Sequence, residues 1–110
     1  MAMAEPQPPA SLLVPAIVRQ VQADGGFATV LAKGSPFGSA LLIVTREGQK
    51  VEAFEKLPSL DDAPRWRLAA EGDSAVAQFV ERQRRFDTDL WVLELDIARP
   101  ARFVPGLPSA

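Results

Sequence analysis

Cysteine, histidine and tyrosine are all missing from this 110-residue sequence. Without cysteine there is no thiol nucleophile, no cluster of thiolate metal ligands and no disulfide framework. The absence also fits a reducing compartment. Without histidine the chain lacks the side chain most often used for acid–base work near neutral pH, and histidine-bearing zinc and non-haem iron sites are excluded. Chemistry is left to carboxylate, lysine, arginine, serine and threonine. A strong charge of either sign is lacking too: the net charge is −2 with 24% charged residues, which gives no bulk electrostatic reason to expect a polyanion partner. The longest apolar run, "ALLIV" at 40–44, is far short of the ~20 residues of a spanning helix. The opening "MAMAEPQPPA" has neither the basic nor the apolar region of a secretory signal. The expectation is a soluble, cytoplasmic protein that engages no membrane and needs no cofactor.

Hydrophobic residues make up 47% of the chain, an ordinary globular composition. A chain of this length buries roughly 65% of its unfolded surface, enough for one core. Residues 1–10, rich in proline, read as a flexible leader and 105–110, "PGLPSA", as a flexible tail. Between them, 11–104 reads as a single domain.

In "LLVPAIVRQVQADGG", Val14, Ile17, Val18 and Val21 share one helical face. Pro15 suits a first helical turn, so Leu12 to Val14 reads as an extended lead-in, and Gly25 and Gly26 supply the left-handed stop. Strands follow at 27–33, 40–46, 50–57 and 65–70. The second is apolar throughout, as a strand buried on both faces is, and "KVEAFEKL" is mixed in the manner of an edge strand. "EGQK" between these two is a hairpin signal. "RWRLAA" alternates, with Trp66, Leu68 and Ala70 on one side and Arg65 and Arg67 on the other. A helix capped by Asp73 or Ser74 runs to about Phe86. In the final strand, 90–97, Trp91, Leu93, Leu95 and Ile97 form one face and Leu90, Val92, Glu94 and Asp96 the other. The predicted fold is α+β, in the order α-β-β-β-β-α-β. A mainly antiparallel sheet of about five strands carries two helices on one face.

"RRFDTDLWVLELD" (84–96) joins that helix to that strand. Val76, Phe79, Val80 and Phe86 lie on one side of the helix with Gln83 among them. Arg82, Arg84 and Arg85 scatter around the rest, whereas a groove-reading helix gathers its cations in one strip. Glu81 precedes Arg85 by four residues, an ion-pair spacing of roughly 0.2–0.5 kcal/mol. Asp87 and Asp89 flank Thr88 as turn residues do. Glu94 and Asp96 project the same way, about 7 Å apart along the strand. Asp87, Asp89, Glu94 and Asp96 are the candidate metal ligands, but the run lacks the glycine of a six-ligand calcium loop. "KGSPFGS" (33–39) lacks the phosphate-loop spacing and reads as a turn. Trp66 and Trp91 read as core anchors whose indole N–H groups need partners.

The runs "AIVRQ" and "GGFATVLAKG", the tryptophan of "RWRL" and above all "ERQRRFDTDLWVLELD" resemble the bacterial family known as domain of unknown function 1491, found mainly in alphaproteobacteria. The resemblance covers about residues 12–99. Family members usually carry proline where this chain has Thr88. They often have an acid where it has Ser35, and a polar glycine turn where it has "ARPARF". The family has no established activity, so the resemblance carries over no catalytic residue. In the helix–turn–strand reading, Arg84 or Arg85 pairs with Asp87 or Asp89.

The expected function is therefore binding rather than catalysis. The partner is an unknown protein or a second copy of the chain, engaged through an edge strand. Trp66, Gln83, Arg84, Arg85, Phe37 and Phe54 are the contact candidates. The alternative is a divalent-cation-dependent hydrolase or transferase built on the four acids. A third reading is weak single-strand nucleic-acid binding through Arg65, Trp66, Arg67 and the helix arginines, although the acidic balance makes nucleic acid the less expected partner.

Overall fold

Val14, Ile17 and Val21 are buried along one face of α1 (Ala10–Ala23). The computed structural model describes residues 8–58 and 63–108. Residues 1–7 of the leader, 59–62 of the loop "PSLDDAP" and 109–110 of the tail lie outside the described residues. α1 starts earlier than its proline suggests: Leu12 to Val14 are helical, and Pro15 lies inside the helix. Proline there forfeits one backbone bond near the helix start. The extra turn is held from outside, because Ala10 N–H donates to Gly38 O at 3.0 Å and Ser11 Oγ donates to Pro36 O at 2.8 Å. At the other end Gly25 takes φ +87° and Gly26 N–H returns to Val21 O, the left-handed stop the glycines predict.

Five strands form one sheet: β1 (Phe27–Ala32), β2 (Leu41–Glu47), β3 (Lys50–Leu57), β4 (Arg65–Glu71) and β5 (Trp91–Asp96), with α2 (Asp73–Phe86) between the last two. The spatial order is β1-β5-β2-β3-β4. Only β2 and β5 run parallel; the other pairs are antiparallel. The element order and the α+β class are as the sequence predicts. β2 is central and buried on both faces, as its apolar run requires. β3 is not an edge: it lies between β2 and β4, and the edges are β1 and β4. Its acids, Glu52 and Glu55, are half-buried and paired with Lys50 of the same strand and Arg67 of β4, so its mixed composition reflects ion pairs and not an open edge.

The two helices cover opposite faces, not one. Leu41, Ile43, Leu93 and Leu95 pack with α1, while Leu42, Val44, Val92 and Ala53 pack with Val76 of α2. Period-2 alternation makes both faces of β2 and β5 apolar, so each face needs its own cover. Each cover is partial. α1 lies over β1 and β5, and α2 over β3 and β4. On the α1 face the remaining half is filled by the C-terminal stretch, a 3-10 helix (Pro100–Phe103) followed by buried Val104 and Leu107. Leu107 thus belongs to the core, past the boundary at 104 drawn from composition.

In β4 the register slips between Ala53 and Phe54, so that Ala70 and Leu68 pair with consecutive residues and Ala69 is extra. The bulge moves Ala70 to the α2 face, away from the side of Trp66. α2 begins at Asp73 and not after it: its N-cap is Gly72, at φ 92°, which has no side chain to cap with, and the Asp73 carboxylate bonds Arg46.

Lys56 lies opposite Trp66 in the β3–β4 pairing, and burial pushes its amine below the ordinary 10.5. Below the lowered value both folded and unfolded chains carry the charge, and its desolvation opposes folding. Between that value and 10.5 the folded chain sheds the proton first, so stability rises with pH there. Lys56→Met is expected to be more stable at pH 7 and to lose this rise. Urea midpoints for both proteins from neutral to alkaline pH test it, and parallel curves would refute it.

Candidate interaction surface

The half of the α2 face that α2 leaves bare is where polar chemistry and open backbone meet. β1 is the adjacent edge, paired only with β5. Its register with β5 slips between Val30 and Ala32, leaving Leu31 as a bulge. Phe27 is 73% exposed, and Val30 and Leu31 are about two-fifths exposed. β1 carries no charged residue at all. The opposite edge, β4, is guarded by exposed Arg65, Arg67 and Glu71, the usual means of keeping an edge from pairing.

Beside β1 a cleft of about 630 Å³ opens towards α2. Leu31, Val44, Val76 and Val80 give it apolar walls, and Arg46 and Glu94 lie in its floor. Arg46 Nε donates to Glu94 Oε1, and Arg46 Nη1 bonds Asp73 Oδ1 at 2.8 Å. The bond to Glu94, and then that to Asp73, push the guanidinium above its ordinary value. This three-residue strut ties β2, β5 and the start of α2 together. Arg46→Ala leaves the half-buried Glu94 uncompensated and is expected to cost about 1–2 kcal/mol, between exposed and buried pairs. Urea unfolding measures this, and a loss below about 0.5 kcal/mol would mean that the strut adds nothing.

The predicted contact residues divide. Arg84 and Arg85 are exposed and line the cleft rim. Arg85 Nη2 bonds Glu81 Oε1 at 2.6 Å, the i,i+4 pair, so it does not pair with Asp87 or Asp89. Among the described residues Arg84 has no ion pair. Gln83 is half-buried, and its carbonyl accepts the Asp87 N–H that ends α2. Phe37 is 91% exposed, but Phe54, expected to be exposed, is 4% exposed and packs in the α1-face core. Trp66 is buried, and its indole donates to Pro105 O at 3.0 Å. With that ring enclosed and Arg67 bonded to Glu55, the stretch Arg65–Arg67 offers no stacking platform. The indole of Trp91 likewise finds Ser35 O at 2.8 Å.

The acids do not form a cluster. Asp87 Oδ1 accepts the Asp89 N–H at 2.9 Å, the turn expected at the start of β5. Glu94 and Asp96 stand at the far end of the strand, and Glu94 is bonded to Arg46. No group of three or more metal-ligating side chains converges among the described residues. Nor is any helix there long and apolar enough to cross a membrane.

Sequence reasoning placed a strand at 27–33 but singled out neither its edge position nor the exposure of Phe86. The weak alternation of "FATVLA" was the available signal, since a strand with no consistent apolar face is one that a core does not claim. Phe86, placed with the apolar side of α2, is exposed at the last residue of the helix, whereas Val76 near its start is buried.

Residues 9–105 match the family described as "Protein of unknown function (DUF1491)". A solution structure of a protein from A. tumefaciens is similar at TM-score 0.75 and 28% identity, covering 93% of this chain and 98% of that one. A crystal structure of a DUF1491 family protein from Caulobacter crescentus is similar at TM-score 0.78 and 23% identity, covering 89% and 96%. An NMR structure of a DUF1491 family protein from the same bacterium is similar at TM-score 0.78 and 24% identity, covering 92% and 96%. The last two bear on the fold alone. No curated protein matches the chain.

Proposed function

The chain belongs to the DUF1491 family, and from that premise we propose that it is a small non-enzymatic module that binds a protein along the free edge of β1. The observation that carries this reading is the contrast between the two edges. β4 bears charges that discourage pairing, whereas β1 bears exposed Phe27, Val30 and Leu31 with no charge among them. A segment added beside β1 takes affinity from main-chain hydrogen bonds and selectivity from the adjoining cleft, where Arg84 favours an acidic neighbour. The residues that chemistry would need argue the same way, since the four acids lie at opposite ends of β5.

Val30→Lys is expected to weaken association by roughly tenfold or more, because it places a charge on a strand edge that must desolvate. Val30 is already exposed, so the fold is expected to survive. Arg67→Glu on the opposite edge serves as the control and is expected to bind as the unaltered protein does. The measurement is native mass spectrometry of protein taken gently from its host, combined with sedimentation up to about 1 mM. A chain that stays monomeric and carries nothing sinks the proposal. So does association that Val30→Lys leaves intact.

A further inference from the structure

We propose that the cavity on the α1 face binds a small zwitterion with an apolar part, of which a free aromatic amino acid is the simplest example. The cavity measures about 530 Å³, within the range of small-ligand sites, and lies between the β2–β3 hairpin and the C-terminal stretch. It shares no residue with the β1 edge or the cleft beside α2, so it stands or falls apart from the binding function proposed above.

Its floor is Thr45. This is the one buried polar residue among the described residues, 3% exposed. Its hydroxyl makes no hydrogen bond there, yet no enclosed polar atom is left unsatisfied. The hydroxyl therefore opens into the cavity that Thr45 lines. In the middle of an apolar strand, that hydroxyl offers a molecule in the cavity one directional hydrogen bond. Phe54 and Leu107 supply the apolar wall.

The rim carries both signs of charge, only partly matched to each other. The Arg99 guanidinium has no ion pair among the described residues. Glu47 uses one carboxylate oxygen on the Arg99 backbone N–H, at 3.0 Å, and Glu52 forms only a long ion pair with Lys50, at 3.6 Å. Arg99 takes φ 51°, ψ 58°, a left-handed conformation unusual for arginine and disfavoured before Pro100. A ligand carboxylate meets Arg99, its ammonium meets Glu47 or Glu52, and Thr45 supplies one hydrogen bond. The apolar part rests on Phe54.

The test is a titration of the isotope-labelled full chain with L-phenylalanine, followed by amide chemical shifts. 3-Phenylpropionate, which lacks the ammonium, and 2-phenylethylamine, which lacks the carboxylate, are run beside it. Saturable shifts centred on Thr45, Phe54 and Arg99 are expected, with each analogue binding about tenfold more weakly. Arg99→Gly removes the guanidinium at a backbone position that suits glycine. It is expected to bind L-phenylalanine about tenfold more weakly while folding as before. Thr45→Val is expected to weaken binding about threefold or more without loss of stability. Absence of saturable shifts up to about 20 mM overturns the proposal. Equal binding of all three compounds overturns it too, as do shifts centred on Leu31 and Arg84.

Discussion

A chain ending at Phe103 is expected to lose its cooperative fold. Val104 and Leu107 are buried in the same core as Phe54 and Trp66, and among the described elements only the short 3-10 helix Pro100–Phe103 would remain over that half of the α1 face. Uncovering two such side chains costs about 1.5–3 kcal/mol each. Without Pro105 the Trp66 indole N–H also loses its acceptor, which adds about 1–3 kcal/mol if it stays buried. The sum rivals the roughly 5–15 kcal/mol that holds a whole domain. Two point variants separate the causes. Leu107→Ala is expected to cost about 2–3 kcal/mol through lost burial. Gly106→Ala tests the path of the chain: Gly106 has φ +80°, and a Cβ there would overlap Pro64 O. Circular dichroism and urea denaturation measure all three. A truncated chain that unfolds at the same urea concentration as the full one would mean that the C-terminal stretch only rests on the surface.

Gly34→Ala is the second large loss, at about 3 kcal/mol or more. A Cβ on Gly34 would overlap the carbonyl of Asp89 and the backbone of Leu90. Both obstacles are main chain, so no side-chain rotation relieves them. Moving the loop away breaks the bond from Ser35 N–H to Asp89 O and that from the Trp91 indole to Ser35 O. It also loosens Pro36 and Gly38, which hold the first turn of α1. The glycine is thus needed for close approach. A stability change within about 0.5 kcal/mol would show that the loop does not sit on the Asp89 turn.

This loop shows where local reading stops. "KGSPFGS" is legible as a turn from its composition. Nothing local says that it knits α1 to the start of β5, because its partners are 25 and more residues away. The same holds for the candidate surface. Arg84 and Arg85 are recognisable as exposed cations on a helix. Their placement beside Leu31 depends on β5 inserting between β1 and β2. Phe54 misled for the same reason. In a strand of mixed composition an aromatic reads as exposed, until β4 pairs on the outer side and the C-terminal stretch covers it.

Legible in the sequence alone were the element order, the central position of the apolar strand β2, the apolar face of β5 formed by Trp91, Leu93 and Leu95, and the turn at Asp87–Asp89. Each is a matter of side-chain period or of a residue bonding its own neighbours, so a few consecutive positions suffice. The tertiary structure alone decided which strands are edges, that the helices cover opposite faces, and that Val104 and Leu107 complete the core. Those outcomes depend on which apolar face finds cover from distant parts of the chain, a competition that no local window contains.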